Sequence, residues 1–487
     1  MLFNSYIFIF LFFPLCLAGF YLLERRGKAK AAKVWLTGFS LWFYGYFNLY
    51  YLGIMAGSIL FNFLIFKLLL RRKRRGVLAV GVGVNLAVLF YFKYFDFFVE
   101  NINALFSAGF LTRNILLPLG ISFFTFQQIG FLVDAYRGET EECSLVEYAL
   151  FVSFFPQLIA GPIVNFQEMM PQFRSIGQRK FSRERFAKGL YLFTLGMAKK
   201  VLLADTFGIA VDYGYGNIAV LNGVEAVLVM LFYTLQLYFD FSGYCDMARG
   251  LGRMLGIEIP VNFNSPYQSA NIIDFWKRWH ITLNRFLMRY VYIPLGGNRK
   301  GKNRMLLNLM LVFFISGVWH GAGWNFVVWG VMHGAVYVLT RIWQMQKKER
   351  PAAVWSRVLA VLATFLFVNI AWVFFRAPDF SQALALFGQM GKGGFGWPSA
   401  GIYEAFNLEE FWYVLKVLRL TDLPYSEMYL CAAFVPASLG IVFFHKNAGE
   451  MAERFCPKFF NAAATAVLFL WCVLSLSGVS TFLYFNF

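Results

Sequence analysis

The sequence predicts an all-α polytopic membrane protein, and three observations lead to this fold class. Hydrophobic residues make up 59% of the 487 residues and charged residues only 14%, whereas a soluble domain carries about 25% charged residues. Aromatic residues reach 20%, which excludes a disordered chain. Apolar stretches long enough to cross a bilayer recur between short basic runs. An ordinary soluble enzyme is therefore excluded.

The net charge of +18 is explained by the membrane rather than by nucleic acid. The basic residues lie in short runs between apolar stretches, as the positive-inside rule and anionic lipid headgroups require. The six cysteines are scattered and have no metal-ligand spacing, so we expect small core residues and no metal site.

The membrane segments begin with the apolar run 6–23, which has no basic residue before it and five directly after it. A secretory signal has the opposite polarity, so we expect a retained span with its N-terminus outside. Residues 34–70 have basic flanks on both sides and predict a hairpin of two spans. The total is roughly ten to thirteen membrane segments, the later ones lying near 77–98, 115–134, 145–165, 188–211, 222–245, 305–319, 324–342, 354–375, 428–445 and 461–485.

Two stretches rich in proline, glycine and glutamine, near 118–120 and 156–162, predict re-entrant or broken helices buried inside the protein. They leave the topology between residues 100 and 220 open. The basic loop 246–304 is expected on the cytoplasmic side and the acidic loop 378–427 outside. We find no internal repeat, which disfavours a transporter.

Histidine is rare, and two of the four histidines are candidate catalytic residues. His320 lies between two apolar runs among Gly317, Gly321 and Gly323, which leave room for a substrate or for a neighbouring helix. A buried imidazole is kept neutral by desolvation and can accept a proton from a hydroxyl. A histidine bonded to backbone at a helix break is the structural alternative.

His280 lies in a stretch that we expect to form one amphipathic helix dipping into the cytoplasmic face. The histidine is turned inward in this helix, and an interfacial histidine without a catalytic role is the alternative. Basic side chains on and after this stretch either bind an anionic donor or flank the membrane on its cytoplasmic side. The donor-binding candidates are Lys277, Arg278, Arg285 and Arg289.

Four further polar residues are expected beside the site. Asp240 and Asp246 orient an imidazole or have a structural role, and His333 and Asn325 are expected to line or support the site. The sequence contains no G-x-S-x-G and no HExxH motif. The chemistry that remains is attack by a hydroxyl, assisted by histidine, on an activated acyl group.

A series of ordered motifs resembles the membrane-bound O-acyltransferase (MBOAT) family, and in particular its bacterial branch with the alginate O-acetyltransferase membrane subunit. The resemblance covers about residues 115–335, with further matches near the N-terminus and at 374–377. Its motifs are PLGISFFTFQ (118–127), VDAYRG (133–138), FPQLIAGP (155–162), YFDFSGYCD (238–246), FWKRWH (275–280), YIPLGGN (292–298) and VWHG (318–321).

The resemblance implies an MBOAT-type helical bundle with a central tunnel through the membrane. It divides the chain into N-terminal membrane segments (1–114), the catalytic core (115–345) and C-terminal membrane segments (346–487). His320 matches the tunnel histidine and His280 a second family histidine, which is a second base or a donor to the carbonyl. The acyl donor, acetyl-CoA or an acyl carrier, is a substrate that approaches from the cytoplasm, and no bound cofactor is expected.

The function expected from this resemblance is O-acetylation of a bacterial exopolysaccharide or cell-wall glycan across the inner membrane. A separate extracytoplasmic acetyltransferase is the expected partner, docking on loop 378–427. The alternatives are D-alanyl transfer to teichoic acid and, from another class, a transporter or flippase without chemistry. The acceptor polymer, the donor and the oligomeric state are not specified by the sequence.

Overall fold

The computed structural model describes residues 1–178, 181–346, 354–407, 416–419, 423, 425–478 and 481–483. Within these ranges all regular structure is helical and no strand occurs, which confirms the all-α fold class. Part of the acidic loop 378–427, including Glu409, Glu410 and Asp422, lies outside the described residues.

Seven helices in the described ranges are long and apolar enough to cross a membrane, so this is a multi-pass membrane protein. They are Phe8–Arg25, Leu49–Arg71, Arg75–Phe106, Gly223–Met254, Trp324–Gln346, Val354–Arg376 and Ser426–Phe444. This count is lower than the ten to thirteen segments expected, because several apolar stretches form helices shorter than 18 residues. Ala29–Gly45 and Ile121–Arg137, for example, have 17 residues each.

The remaining α-helices are shorter or more polar. They are Ala29–Gly45, Ile121–Arg137, Leu145–Ser153, Phe166–Arg174, Arg183–Ala198, Asp205–Gly216, Ile272–Arg278, Ile281–Leu287, Lys302–His320, Phe380–Lys392, Ala400–Tyr403, Ala448–Arg454 and Phe459–Leu474.

Packing divides the described chain into two compact units. The first contains Met1–Phe193 and Met247–Val261, and the second contains Thr194–Asp246 and Asn262–Leu483. Both candidate histidines lie in the second unit. The three-part division made from the sequence stays a prediction.

In the first unit, the stretch 34–70 forms two successive helices, Ala29–Gly45 and Leu49–Arg71, of which only the second is among the helices long enough to cross a membrane. Asn48 caps the second helix, since its side-chain oxygen accepts the N–H of Tyr50 at 2.8 Å. Asn62 and Asn85 exchange amide hydrogen bonds of 3.1 and 2.6 Å between neighbouring apolar helices, which satisfies both buried amides.

The predicted irregular stretch near 156–162 is also confirmed. Residues 154–164 form turns rather than a helix and are all buried. Backbone N–H and C=O groups that lack a helical partner in and next to this stretch form hydrogen bonds with side chains, as buried irregular backbone requires. Gln157 donates to the carbonyl of Phe151 at 3.0 Å, and the N–H of Phe155 donates to the hydroxyl of Ser40 at 3.2 Å.

Candidate active site

His320 is the last residue of the helix Lys302–His320 and is 4% exposed. Aromatic rings surround its imidazole, with centroids at 4.9 Å for Trp319, 5.0 Å for Trp329 and 5.2 Å for Phe375. The ring therefore lies in an apolar environment of the kind that favours a neutral imidazole.

The glycines near His320 admit a neighbouring helix, which was one of the two expected reasons for their small size. A Cβ on Gly317 would lie 2.5 Å from the backbone oxygen of Phe326, which is closer than real Cβ atoms approach, and 3.0 Å from the Cα of Gly330. The helices Lys302–His320 and Trp324–Gln346 therefore touch backbone to backbone at this crossing. This contact fixes the position of His320 along the axis of the following helix, Trp324–Gln346.

His280 does not lie within one amphipathic helix, and that expectation is wrong. The helix Ile272–Arg278 ends before Trp279, and a second helix, Ile281–Leu287, begins after His280. His280 takes the left-handed conformation, with φ 46° and ψ 50°, which is uncommon and costly for a residue other than glycine.

At the break two consecutive large rings are buried against different neighbours, and Asn262 accepts the N–H groups of Ile281 and Thr282 that begin the second helix. Trp279 and His280 are each 1% exposed, and successive residues of one helix point about 100° apart. Trp279 packs against Phe263 and Trp372 with ring centroids 5.0 Å away, while His280 packs against Phe241 at 4.9 Å. Strained backbone of this kind is concentrated at functional sites.

Asn262 holds His280 in place and was not identified from the sequence. Its side-chain oxygen accepts the Thr282 N–H at 3.1 Å and the Thr282 hydroxyl at 2.9 Å, and it lies 3.2 Å from Nδ1 of His280. Its backbone carbonyl accepts the N–H of Ile281 at 3.0 Å. The signal that sequence reasoning could have used is a single amide between the apolar residues Val261 and Phe263.

These contacts specify the tautomer of His280. The backbone N–H of Thr282 can only donate, so the side-chain atom of Asn262 that it contacts is the oxygen and not the nitrogen. Nδ1 of His280 contacts the same oxygen and must therefore donate its hydrogen to it. Nε2 then carries the lone pair. Burial lowers the pKa of His280 to about 3, so the ring is neutral at pH 7.

The two candidate histidines are neighbours. Their ring centroids are 6.5 Å apart, and the ring of Trp319 lies 6.3 Å from that of His280. Since a hydrogen bond spans about 3 Å between heavy atoms, both imidazoles can reach one small group placed between them. The structure therefore brings together the two residues that the sequence selected.

Replacing Asn262 with leucine should lower the rate of acyl transfer by about tenfold or more, because His280 loses the acceptor that fixes its tautomer. Asn262→Asp keeps an acceptor for Nδ1 and should restore most of the rate. The measurement is kcat as a function of pH, together with the thermal unfolding midpoint of each variant. Equal rates in the leucine variant and the wild type would contradict this role.

The structure places Asp240 and Asp246 against lysines. Asp240 pairs with Lys200 at 2.8 Å, and Asp246 pairs with Lys199 at 2.7 Å. Asp240 also accepts the N–H of Leu483 at 3.1 Å. These contacts support the structural role of the two carboxylates.

Asn325 and His333 hydrogen-bond to neighbouring elements of the second unit, and their part in the site stays a prediction. Asn325 donates to the carbonyls of Phe374 and Ala377 at 3.1 and 2.8 Å, which ties the helix Trp324–Gln346 to the end of Val354–Arg376. Nδ1 of His333 accepts the indole N–H of Trp276 at 3.2 Å, so His333 anchors the segment that precedes His280.

The four basic candidates lie on both sides of His280. Lys277 is exposed, Arg285 and Arg289 are half-buried, and Arg278 pairs with Asp274 at 3.0 Å. Their part in donor binding stays a prediction.

Among the described residues of the second unit, one cavity has a volume of about 540 Å³ and another of about 20 Å³. The smaller one is lined by Trp276, Leu283 and Ser316, close in sequence to both histidines. Neither is lined by His280 or His320 themselves, so the tunnel implied by the family resemblance stays a prediction.

Comparison with known proteins identifies the family. The sequence profile of MBOAT, the membrane-bound O-acyltransferase family, matches residues 32–377. This chain belongs to that family. The enzyme is 39% identical, over 100% of its own length and 98% of the relative, to the peptidoglycan O-acetyltransferase of Helicobacter pylori. It is 36% identical to the probable alginate O-acetylase of Pseudomonas putida over the full length of both chains.

A second group of relatives is more distant. The teichoic acid D-alanyltransferase of Streptococcus thermophilus is 28% identical over 54% of this chain and 69% of the relative. The predicted O-acyltransferase activity is confirmed by the family and by these relatives, and the transporter alternative is set aside.

Proposed function

We propose that this O-acyltransferase moves an acetyl group from a thioester donor on the cytoplasmic side of the bacterial inner membrane to a hydroxyl of an exopolysaccharide or cell-wall glycan outside. The observation that supports this chemistry is the closeness of the His320 and His280 rings, whose centroids are 6.5 Å apart. The two glycan O-acetylating relatives match the whole chain, whereas the D-alanyl relative matches about half of it. These matches support acetyl rather than D-alanyl transfer.

In the proposed reaction, His320 is the general base. It takes the proton of the acceptor hydroxyl while the hydroxyl oxygen bonds to the carbonyl carbon of the thioester. The carbon–sulfur bond then breaks, and the leaving thiolate takes the proton from His320. His280 can only accept a hydrogen bond from the acceptor hydroxyl through Nε2, which orients that hydroxyl, because its one N–H is directed to Asn262.

The identity of the donor tests this function. Membranes that contain the enzyme should move label from acetyl-CoA or an acetylated carrier protein to glycan, and should not move label from a D-alanyl-charged carrier. The measurement is radioactivity in the polymer fraction, with membranes lacking the enzyme as the control. Transfer of D-alanine alone would overturn the acetyl assignment.

We also propose that the partner, an extracytoplasmic acetyltransferase, docks on residues 389–400 of the acidic loop. Phe395 and Trp397 are 92% and 80% exposed there, and exposed aromatic side chains are common anchors of protein interfaces. Hydrogen bonds hold the segment in place. The amide of Asn222 donates to the carbonyl of Trp397 at 3.1 Å, and the Ser399 N–H donates to Glu225 at 2.7 Å.

Substituting serine for both Phe395 and Trp397 should reduce acetylation of the polymer severalfold without lowering the amount of folded enzyme. Point substitutions are preferable to deleting the segment, because a deletion removes the bonds to Asn222 and Glu225 as well. Leu384→Ser, at a half-exposed position of the same loop, is the matched control. Normal polymer acetylation in the double variant would contradict the proposal that the partner docks on this segment.

A further inference from the structure

The indole of Trp329 lies beside the proposed general base and is itself completely buried. Trp329 belongs to the helix Trp324–Gln346, and its side chain is 0% exposed. Its ring contacts the imidazole of His320, with centroids 5.0 Å apart and ring planes at 84°. Any group that the indole N–H binds is therefore close to the reacting atoms of the proposed function.

The indole N–H of Trp329 has no hydrogen-bond acceptor among the described residues. An indole nitrogen can only donate, and a buried donor without an acceptor destabilises a folded protein. Buried indoles usually have a partner, as two neighbouring tryptophans do. Trp372 donates to the hydroxyl of Tyr267 at 3.3 Å, and Trp276 donates to Nδ1 of His333 at 3.2 Å. The N–H of Trp329 therefore needs a physical explanation.

The rings that contact Trp329 explain why the chain offers this N–H no strong acceptor. Trp276, Trp372 and Phe375 lie 5.8, 5.8 and 5.4 Å away between centroids, and ring faces accept only weak hydrogen bonds. The ring of His333 is 4.8 Å away. Its Nδ1 already accepts from an indole, so its Nε2 carries the hydrogen and has no lone pair to offer.

The proposed reaction requires a donor for the charge that it creates. Attack of the acceptor hydroxyl on the thioester moves an electron pair onto the carbonyl oxygen, and a preorganised N–H at that oxygen lowers the barrier. The nitrogen of His320 that meets the hydroxyl takes a proton, and the one N–H of His280 is directed to Asn262. A neutral N–H among aromatic rings suits the task, because electrostatic interactions are stronger where water is excluded.

We propose that Trp329 is a catalytic residue that donates its indole N–H to the carbonyl oxygen of the acetyl thioester. This role rests on the proposed function, which places the thioester beside His320. The hydrogen bond strengthens as the hydroxyl oxygen bonds to the carbonyl carbon and the oxygen becomes negative. The double bond then re-forms, the carbon–sulfur bond breaks, and the thiolate takes the proton from His320. Since a hydrogen bond spans about 3 Å, two rings in contact can reach one small acetyl group.

The first test removes the N–H and keeps the shape of the ring. Trp329→benzothienylalanine puts sulfur in place of the N–H, and the full-length enzyme is assayed in bilayers with acetyl-CoA. We expect kcat to fall about 10²-fold, the effect of losing one such donor, with little change in KM. The thermal unfolding midpoint should stay the same or rise, because the variant no longer buries a donor without an acceptor.

The matched control is Trp343→benzothienylalanine, on the same helix at a position that is 55% exposed. It should keep the wild-type rate and midpoint. If Trp329→benzothienylalanine loses stability together with rate, the N–H is a structural donor and the proposal is overturned. An unchanged rate in this variant would overturn it as well.

A spectroscopic test requires no turnover and remains decisive if the Trp329 variant does not fold. The probe is the methyl ketone analogue of acetylpantetheine, the arm that coenzyme A and acyl carriers share, with CH₂ in place of sulfur and a carbon-13 carbonyl. On wild-type enzyme this carbonyl should absorb at a lower infrared frequency than in an apolar solvent, and the Trp329 variant should return it towards the solvent value. An unshifted carbonyl on the wild type, or an equal shift on both enzymes, contradicts the proposal. His320→Ala should keep the shift, which separates this result from a failure of the proposed base.

Discussion

His320→Ala should lower the rate of acetyl transfer by about 10²–10⁴-fold, the usual contribution of a positioned general base. The imidazole is buried among the rings of Trp319, Trp329 and Phe375, so no water-exposed group can easily replace it. The measurement is label transferred from acetyl-CoA to acceptor by purified enzyme in bilayers. Thermal unfolding of the same sample shows whether the fold survives.

His333→Gln is the matched control for this variant, because it removes a second buried imidazole from the next helix. Glutamine keeps an acceptor for the indole N–H of Trp276, which His333 accepts at 3.2 Å. We expect this variant to lose stability but to keep most of its rate. If His320→Ala stays folded and transfers acetyl at the wild-type rate, His320 is not the base.

Lys200→Met should destabilise the protein by about 3–5 kcal/mol, because it removes the cation of a buried ionic cluster and leaves the carboxylates of Asp205 and Asp240 without it. Lys200 is 1% exposed and pairs with Asp205 at 2.7 Å and Asp240 at 2.8 Å. The measurement is the thermal unfolding midpoint and the yield of folded protein.

The double variant Lys200→Met with Asp240→Asn removes a charge of each sign and should recover part of the lost stability. Lys67→Met is the comparison at an exposed ion pair, with Glu142, and should change the midpoint little. A loss of stability no larger for Lys200→Met than for Lys67→Met would show that the cluster is not important for folding.

Composition and segment length were sufficient to predict the fold class, because the bilayer restricts a spanning chain to a few solutions. The buried turns at 154–164 were predictable for the same reason, since proline and glycine interrupt an otherwise apolar stretch. His320 and His280 were found because ionisable residues are rare in such a chain.

The surroundings of the histidines were not predictable in the same way. Helical periodicity describes one face of one helix, and it cannot show that Trp279 must be buried against Trp372, far away in sequence. That packing accompanies the break at His280. Asn262 was missed because it and His280 are 18 residues apart, with the helix Ile272–Arg278 between them, and an asparagine outside a helix gives no periodic signal.

The hydrogen bond from Leu483 to Asp240 joins positions 243 residues apart. A ribosome that adds about 5–20 residues per second needs roughly 10–50 s to cover that distance. Throughout this interval the nascent chain has Asp240 and Lys200 already synthesised but lacks the backbone amide that completes their arrangement. The packing around Asp240 is therefore completed only after translation reaches Leu483.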